Sequence, residues 1–201
     1  MGTASPAATG KVTTGFSFPY VGKYTVSSGA ITYTDVQELA RGVSVDIQPE
    51  TPDDNGFWAN NQLAESGPTK FRSGTMTVTV DGLLTSARRL IRGLPAAGSD
   101  GWTAIGDSVN PPYMGFGCIQ RWMSGGVEGW TPVIIVKTKF DIPTDTAETE
   151  GDGGIDWQTQ ALTSKIYRSD NANHDWKWIG GDYDTEDAAK TSMLTKFGVT
   201  Q

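Results

Sequence analysis

The sequence predicts a mainly β fold, a β-sandwich or open barrel, flanked by one α-helix at about 82–93 and a short C-terminal helix at about 185–196. Three observations carry that expectation. In TMTVTV, Thr75, Thr77 and Thr79 alternate with Met76, Val78 and Val80, the period of a half-buried strand. Leu83, Leu84, Ala87, Leu90, Ile91 and Leu94 then follow helical spacing, with Asp81 as a natural N-cap and Gly93 as a stop, leaving Arg88, Arg89 and Arg92 for the wetter side or the helix end. Third, the 25 glycines and 10 prolines, with threonine throughout, favour strands and turns.

The chain in order supports the same class. Residues 1–10 are small and polar, too poor in large apolar groups to order alone, and read as a mobile arm. Residues 11–201 read as one domain. Tyr20–Ser27 and Ala30–Thr34, split by Ser-Ser-Gly, predict a hairpin, and Asp35–Ala40 is either a turn or its continuation. Gly42–Ile47 predicts a strand with Val43, Val45 and Ile47 on one face. The connection 48–74 is long and rich in turn formers, yet it carries Phe57, Trp58 and Leu63. A loop of that length inside a compact domain either folds back over its own sheet or works between molecules, and an aromatic pair in it needs somewhere to bury its area.

Tyr113–Met123 predicts a strand whose Gly115 and Gly117 leave one face bare for a backbone or a bulky aromatic. It forms a hairpin through SGGVEG with a strand at Thr131–Phe140. The segment 141–154 is an acidic loop. Ile155–Arg168 predicts a long strand paired with Asp175–Ile179, whose Trp176 and Trp178 share a face. Asp184 is the expected cap of the last helix, with Glu186 and Asp187 in its first turn, Lys196 near its end, and Ala189, Met193, Leu194 and Phe197 on its buried side.

The chemistry is sparse. A net charge of −7 disfavours a protein that grips phosphates. The lone Cys118 excludes an internal disulfide, no apolar leader opens the chain and no run has the length of a membrane span, so the expectation is a soluble product of a reducing cytoplasm. Cys118 reads as a small core hydrophobe and His174, the only histidine, as a surface turn residue. Asp145, Glu148, Glu150, Asp152 and Asp156 raise calcium binding, but their order is not that of a calcium loop and a solvated charge run is the simpler reading. Glu128 has no placed partner for glycosidase chemistry, and Gly82 stands without the other glycines and the lysine of a phosphate loop. No enzyme, cofactor or metal is expected. Trp102, Trp122, Trp130, Trp157, Trp176 and Trp178 sit in or beside apolar strand patterns, where core packing is the plain account and carbohydrate stacking the alternative.

Taken in order and spacing, ELARGVSVDI, PETPDDNGFWANNQLAES, TMTVTVDGL, NPPYMGFGCIQR, PVIIVKTKF, IDWQTQ and NANHDWK resemble the major tail proteins, the tail-tube subunits of long-tailed bacteriophages, of the type common in phages of Gram-positive hosts. The resemblance spans about 11–197. It implies the tail-tube type of β fold, hexameric rings stacked into a hollow tube, and a virion component made in the bacterial cytoplasm. The implied partners are other copies of the chain and the tail's initiator or tip, tape-measure and terminator proteins, with DNA passing through the lumen without specific binding and no membrane contact. On this expectation, Asp53, Asp54, Phe57, Trp58, Asn60, Asn61 and Leu63 of the long loop reach a neighbouring subunit or ring, Thr75, Thr77 and Thr79 line the lumen or meet another sheet, and the acidity keeps DNA from sticking.

Overall fold

A computed structural model describes residues 10–51, 56–65, 70–107, 109–142 and 157–199. The strands are β1 (Val12–Ser27), β2 (Ala30–Glu38), β3 (Gly42–Glu50), β4 (Phe57–Ala59), β5 (Gln62–Glu65), β6 (Ser73–Val80), β7 (Met114–Ser124), β8 (Val127–Phe140), β9 (Gln160–Ile166) and β10 (Lys177–Ile179). Two helices, α1 (Thr85–Arg92) and α2 (Glu186–Lys196), complete the described elements. The expected mobile arm falls almost wholly outside the described residues, as do Asp53, Asp54 and the acids of the 143–156 segment.

One antiparallel sheet runs β2-β1-β7-β8-β9-β6-β3, with β10 attached to β8, while β4 and β5 form a separate pair. The sheet is curled into an open barrel, and among the described residues no second stacked sheet makes a sandwich. Val21 on β1 and Met76 on β6 belong to one buried cluster although three strands lie between them in the sheet. Strands sit about 4.8 Å apart, so in a flat sheet those side chains would be far beyond contact. The end strand β3 also approaches β1 across the interior, where the Phe16 ring of β1 lies against Gly42 of β3.

The interior is packed by Phe116, Cys118, Val133, Ile135, Leu162 and the apolar face of β6, with Ala87 and Ile91 of α1 joining it. On the outside of β7 and β8, α2 forms a second cluster from Ala189, Met193 and Phe197 over Ile119 and Ile134. The central strand β8 therefore buries both faces, which is why VIIV reads as a continuous apolar run. The bare face of β7 is filled by aromatics as expected: a Cβ on Gly115 would stand 2.3 Å from the Tyr33 ring, and one on Gly117 would stand 2.5 Å from Phe197.

Several expected details are corrected. Asp81 does not cap α1; its carboxylate accepts from the Arg41 amide at 3.1 Å and pairs with the Arg41 guanidinium, latching β3 to the end of β6. The helix starts at Thr85 after Leu84, which gives no side-chain cap, and ends on Gly93 at φ 65°. Leu84 is 53% exposed, and Arg92 is buried, because the segment at Asn110 and Pro112 crosses the helix end beside Gly93. At α2 the cap is Thr185, whose hydroxyl accepts from the Ala188 amide at 3.3 Å, and Asp184 precedes it.

β10 pairs with β8 and not with β9, whose two edges are occupied by β6 and by the end of β8. The turn before β10 closes on itself: the Asn171 side chain donates to Asp175 at 2.8 Å and the Ser169 amide donates to the Asp175 carbonyl. That closure sends the chain across to β8. Trp176 and Trp178 consequently part company, since Trp176 precedes the strand and stacks on Phe71 at 4.4 Å in the interior, whereas Trp178 joins the α2 side. Trp102 and Trp157 are not core residues either, at 80% and 84% exposed.

Candidate assembly surfaces

The loop 48–74 is not structureless. Its described centre is the hairpin β4–β5, turned by Asn60 and Asn61 at φ 51° and 60°. Both residues are left-handed, the geometry of a tight hairpin turn that asparagine tolerates better than other side chains. Phe57 pairs with Glu65 and Trp58 with Leu63, and Leu63 lies over Gly56. In its described part the loop does not fold back over its own sheet, the alternative reading of its length. Phe57, Trp58 and Leu63 remain 63%, 65% and 50% exposed, and every residue of β4 and β5 is exposed. An isolated two-stranded hairpin is at best marginally stable in water, so this one gains most by finding a surface to cover.

The threonine row occupies the outer face of the barrel wall. Thr75, Thr77 and Thr79 are half-buried while Met76, Val78 and Val80 are fully inside. On that outer face Thr75 lies between Gln48 and Lys165, Thr77 between Asp46 and Thr163, and Thr79 between Ser44 and Ala161. The three strands thus present a flat, hydroxyl-rich surface with charges of both signs and no aromatic anchor. β3 and β2, at the two ends of the sheet, have no strand partner on their outer edges among the described residues.

A third surface escaped the sequence reading. Between β8, β10 and α2 lies a cleft of about 420 Å³ walled by Pro132, Ile134, Ile179 and Met193 and rimmed by Lys177 and Lys196. The Lys196 ammonium sits 4.2 Å from the Trp178 ring centre, and the Trp178 indole donates to Asp175. Hydrogen bonds from Asn171 and from Trp178 hold the Asp175 carboxyl below the usual carboxylate range. The sequence signal was Ile179, an apolar residue left 65% exposed directly after two tryptophans and between lysines that the fold converges.

The residues weighed for chemistry are scattered. Cys118 is fully buried and its thiol is pushed up to about 12 by desolvation. His174 sits at φ 54° in the closed turn, with Nδ1 3.1 Å from the Ser169 carbonyl, and Glu128 pairs with Arg121. Among the described residues no cluster of histidine, cysteine and carboxylate side chains is arranged to hold a metal ion, and the acids weighed for calcium, Asp145 to Asp156, lie outside them. No helix among them is long and apolar enough to cross a membrane. No family model matches the chain, and no curated protein matches it either.

Proposed function

We propose that the chain is a structural subunit of the phage tail-tube type, which assembles into stacked hexameric rings around a channel for the viral genome. The observation that carries this reading is the β4–β5 hairpin, which holds Phe57, Trp58 and Leu63 in solvent on an arm with no core of its own. Exposed aromatics on a short projecting hairpin suit an anchor on a neighbouring molecule. The two unpaired strand edges support lateral association of sheets into a ring. The polar face around Thr75, Thr77 and Thr79 suits a lumen wall or a sheet-to-sheet contact, and a net charge of −7 suits a channel that lets phosphates slide past. Initiator, tape-measure and terminator proteins are the further partners in this reading, and the virion tail is its location.

A second reading keeps one observation in its favour. Trp102 and Trp157, at 80% and 84% exposed, offer indole faces of the kind that stack on sugar rings, so a carbohydrate-binding module is the alternative. Two experiments separate the readings. Negative-stain microscopy of the concentrated protein should show rings or tubes of regular repeat. A glycan array on which the monomer binds saturably, with binding lost in Trp102→Ala or Trp157→Ala, would instead establish the carbohydrate module.

A further inference from the structure

The cleft and the hairpin complement each other. The hairpin offers two exposed aromatic rings and Glu65, and residues 51–65 contain no lysine or arginine. The cleft has a floor of the largely buried Pro132, Ile134 and Met193, a wall of the half-buried Trp178 and the exposed Ile179, and two ammonium groups on its rim. In a chain of net charge −7 such a pair of lysines is unusual, and among the described residues neither forms an ion pair. Asp175, which feels the Lys196 charge, is turned to the Asn171 and Trp178 donors. Burying a tryptophan removes about 150–250 Å² of surface from water, which makes the indole the dominant anchor of such a contact.

We infer that the cleft between β8, β10 and α2 is the receptor for the β4–β5 hairpin of a second copy of this chain, with Trp58 seated beside Trp178 over the floor of Pro132, Ile134 and Met193 and Glu65 facing Lys177 and Lys196. The inference rests on the tube reading and names the partner surface of its projecting arm. The occupant is a second copy because the two surfaces are different patches of one chain. A contact between unlike patches is head-to-tail, and repeated from copy to copy it generates rings or filaments and not closed pairs. The apolar walls supply the affinity, while the lysine rim sets orientation and rejects approach by basic segments.

The test uses full-length chains and disulfide trapping. A chain carrying Gln62→Cys, an exposed hairpin position beside Trp58 that leaves the indole in place, is mixed at high concentration with one carrying Ile179→Cys, oxidised, and resolved on a non-reducing gel; the native Cys118 is fully buried and serves as an inert background. The control replaces Ile179→Cys by Val26→Cys, an exposed position at the β1–β2 turn. The expected result is a mixed disulfide several-fold more abundant than the control, reduced in a Lys177→Glu/Lys196→Glu background and restored when Glu65→Lys is placed on the hairpin partner. A yield equal to the control, from chains that are folded by circular dichroism, overturns the inference. Tubes by microscopy without the disulfide would sink the receptor and spare the tube reading, whereas the disulfide without tubes would do the reverse.

Discussion

The curled sheet and the β4–β5 hairpin are both antiparallel β-structure, yet they are held by different forces. In the sheet, the inner strands find neighbours on both sides and the alternation sorts side chains between a packed interior and the surface, as in β6 with Met76, Val78 and Val80 inside. In the hairpin, two short strands find only each other, and the apolar residues stay in water. Burial of about 25 cal/mol per Å² stabilises the first and is left unused by the second. The difference teaches where to look for stability and where to look for assembly, and mutations separate the two.

The largest expected effect is in the interior. Phe116 is fully buried beneath β1 and β8, so Phe116→Ala should cost about 3–5 kcal/mol in urea unfolding, as large-to-small changes in packed cores do. A loss well under 1 kcal/mol on the same scale would mean that the cluster is not the core. Next comes the outer cluster. Gly117→Val drives a side chain into Phe197 and Met193 and should cost about 1–3 kcal/mol, with faster amide exchange in α2 than in β6. Thr185→Ala removes the cap of α2 and should cost about 1 kcal/mol.

Acid sensitivity should come from the turn before β10. The Asp170 carboxyl is held below its ordinary value by hydrogen bonding from Lys137, and Asp175 by hydrogen bonding from Asn171 and Trp178. Both folded-state values are depressed, so their contribution is present above the ordinary carboxylate range and is lost as pH falls through it and below. Asn171→Ala should therefore lower stability at neutral pH and flatten the acid limb of a melting-temperature profile. Both carboxylates are near solvent, which keeps the effect small. An unchanged acid limb would remove the turn from the account.

The smallest expected effect on stability is the one that matters most for function. Trp58→Ala should leave the unfolding free energy within about 0.5 kcal/mol of the parent, as surface substitutions do, while abolishing association. A Trp58→Ala protein that unfolds several kcal/mol more easily would place the indole in the fold and not in a contact.

Much of this division is legible in the sequence because it follows from local pattern. The alternation around Thr77, the two-residue turns at Ser28-Gly29 and Gly125-Gly126, and the bare face of β7 each depend on residues a few positions apart. Phe57 and Trp58 also stand out locally, as large rings among turn formers. What is missed depends on distant chain. The partner of β10 is decided by which edge remains open after β6 and β8 have taken both sides of β9. Asp81 looks like a cap until Arg41, forty positions earlier, draws it to β3. The lysine-rimmed cleft is missed because β8, β10 and α2 each supply only part of it, and the lone hint at Ile179 does not say what faces it.

The most direct test of the central claim is microscopy and calorimetry on the parent chain beside a variant lacking residues 53–61. The account predicts rings or tubes from the parent, none from the variant, and closely similar melting temperatures for the two monomers. Tubes of normal length and stability from the variant would contradict it.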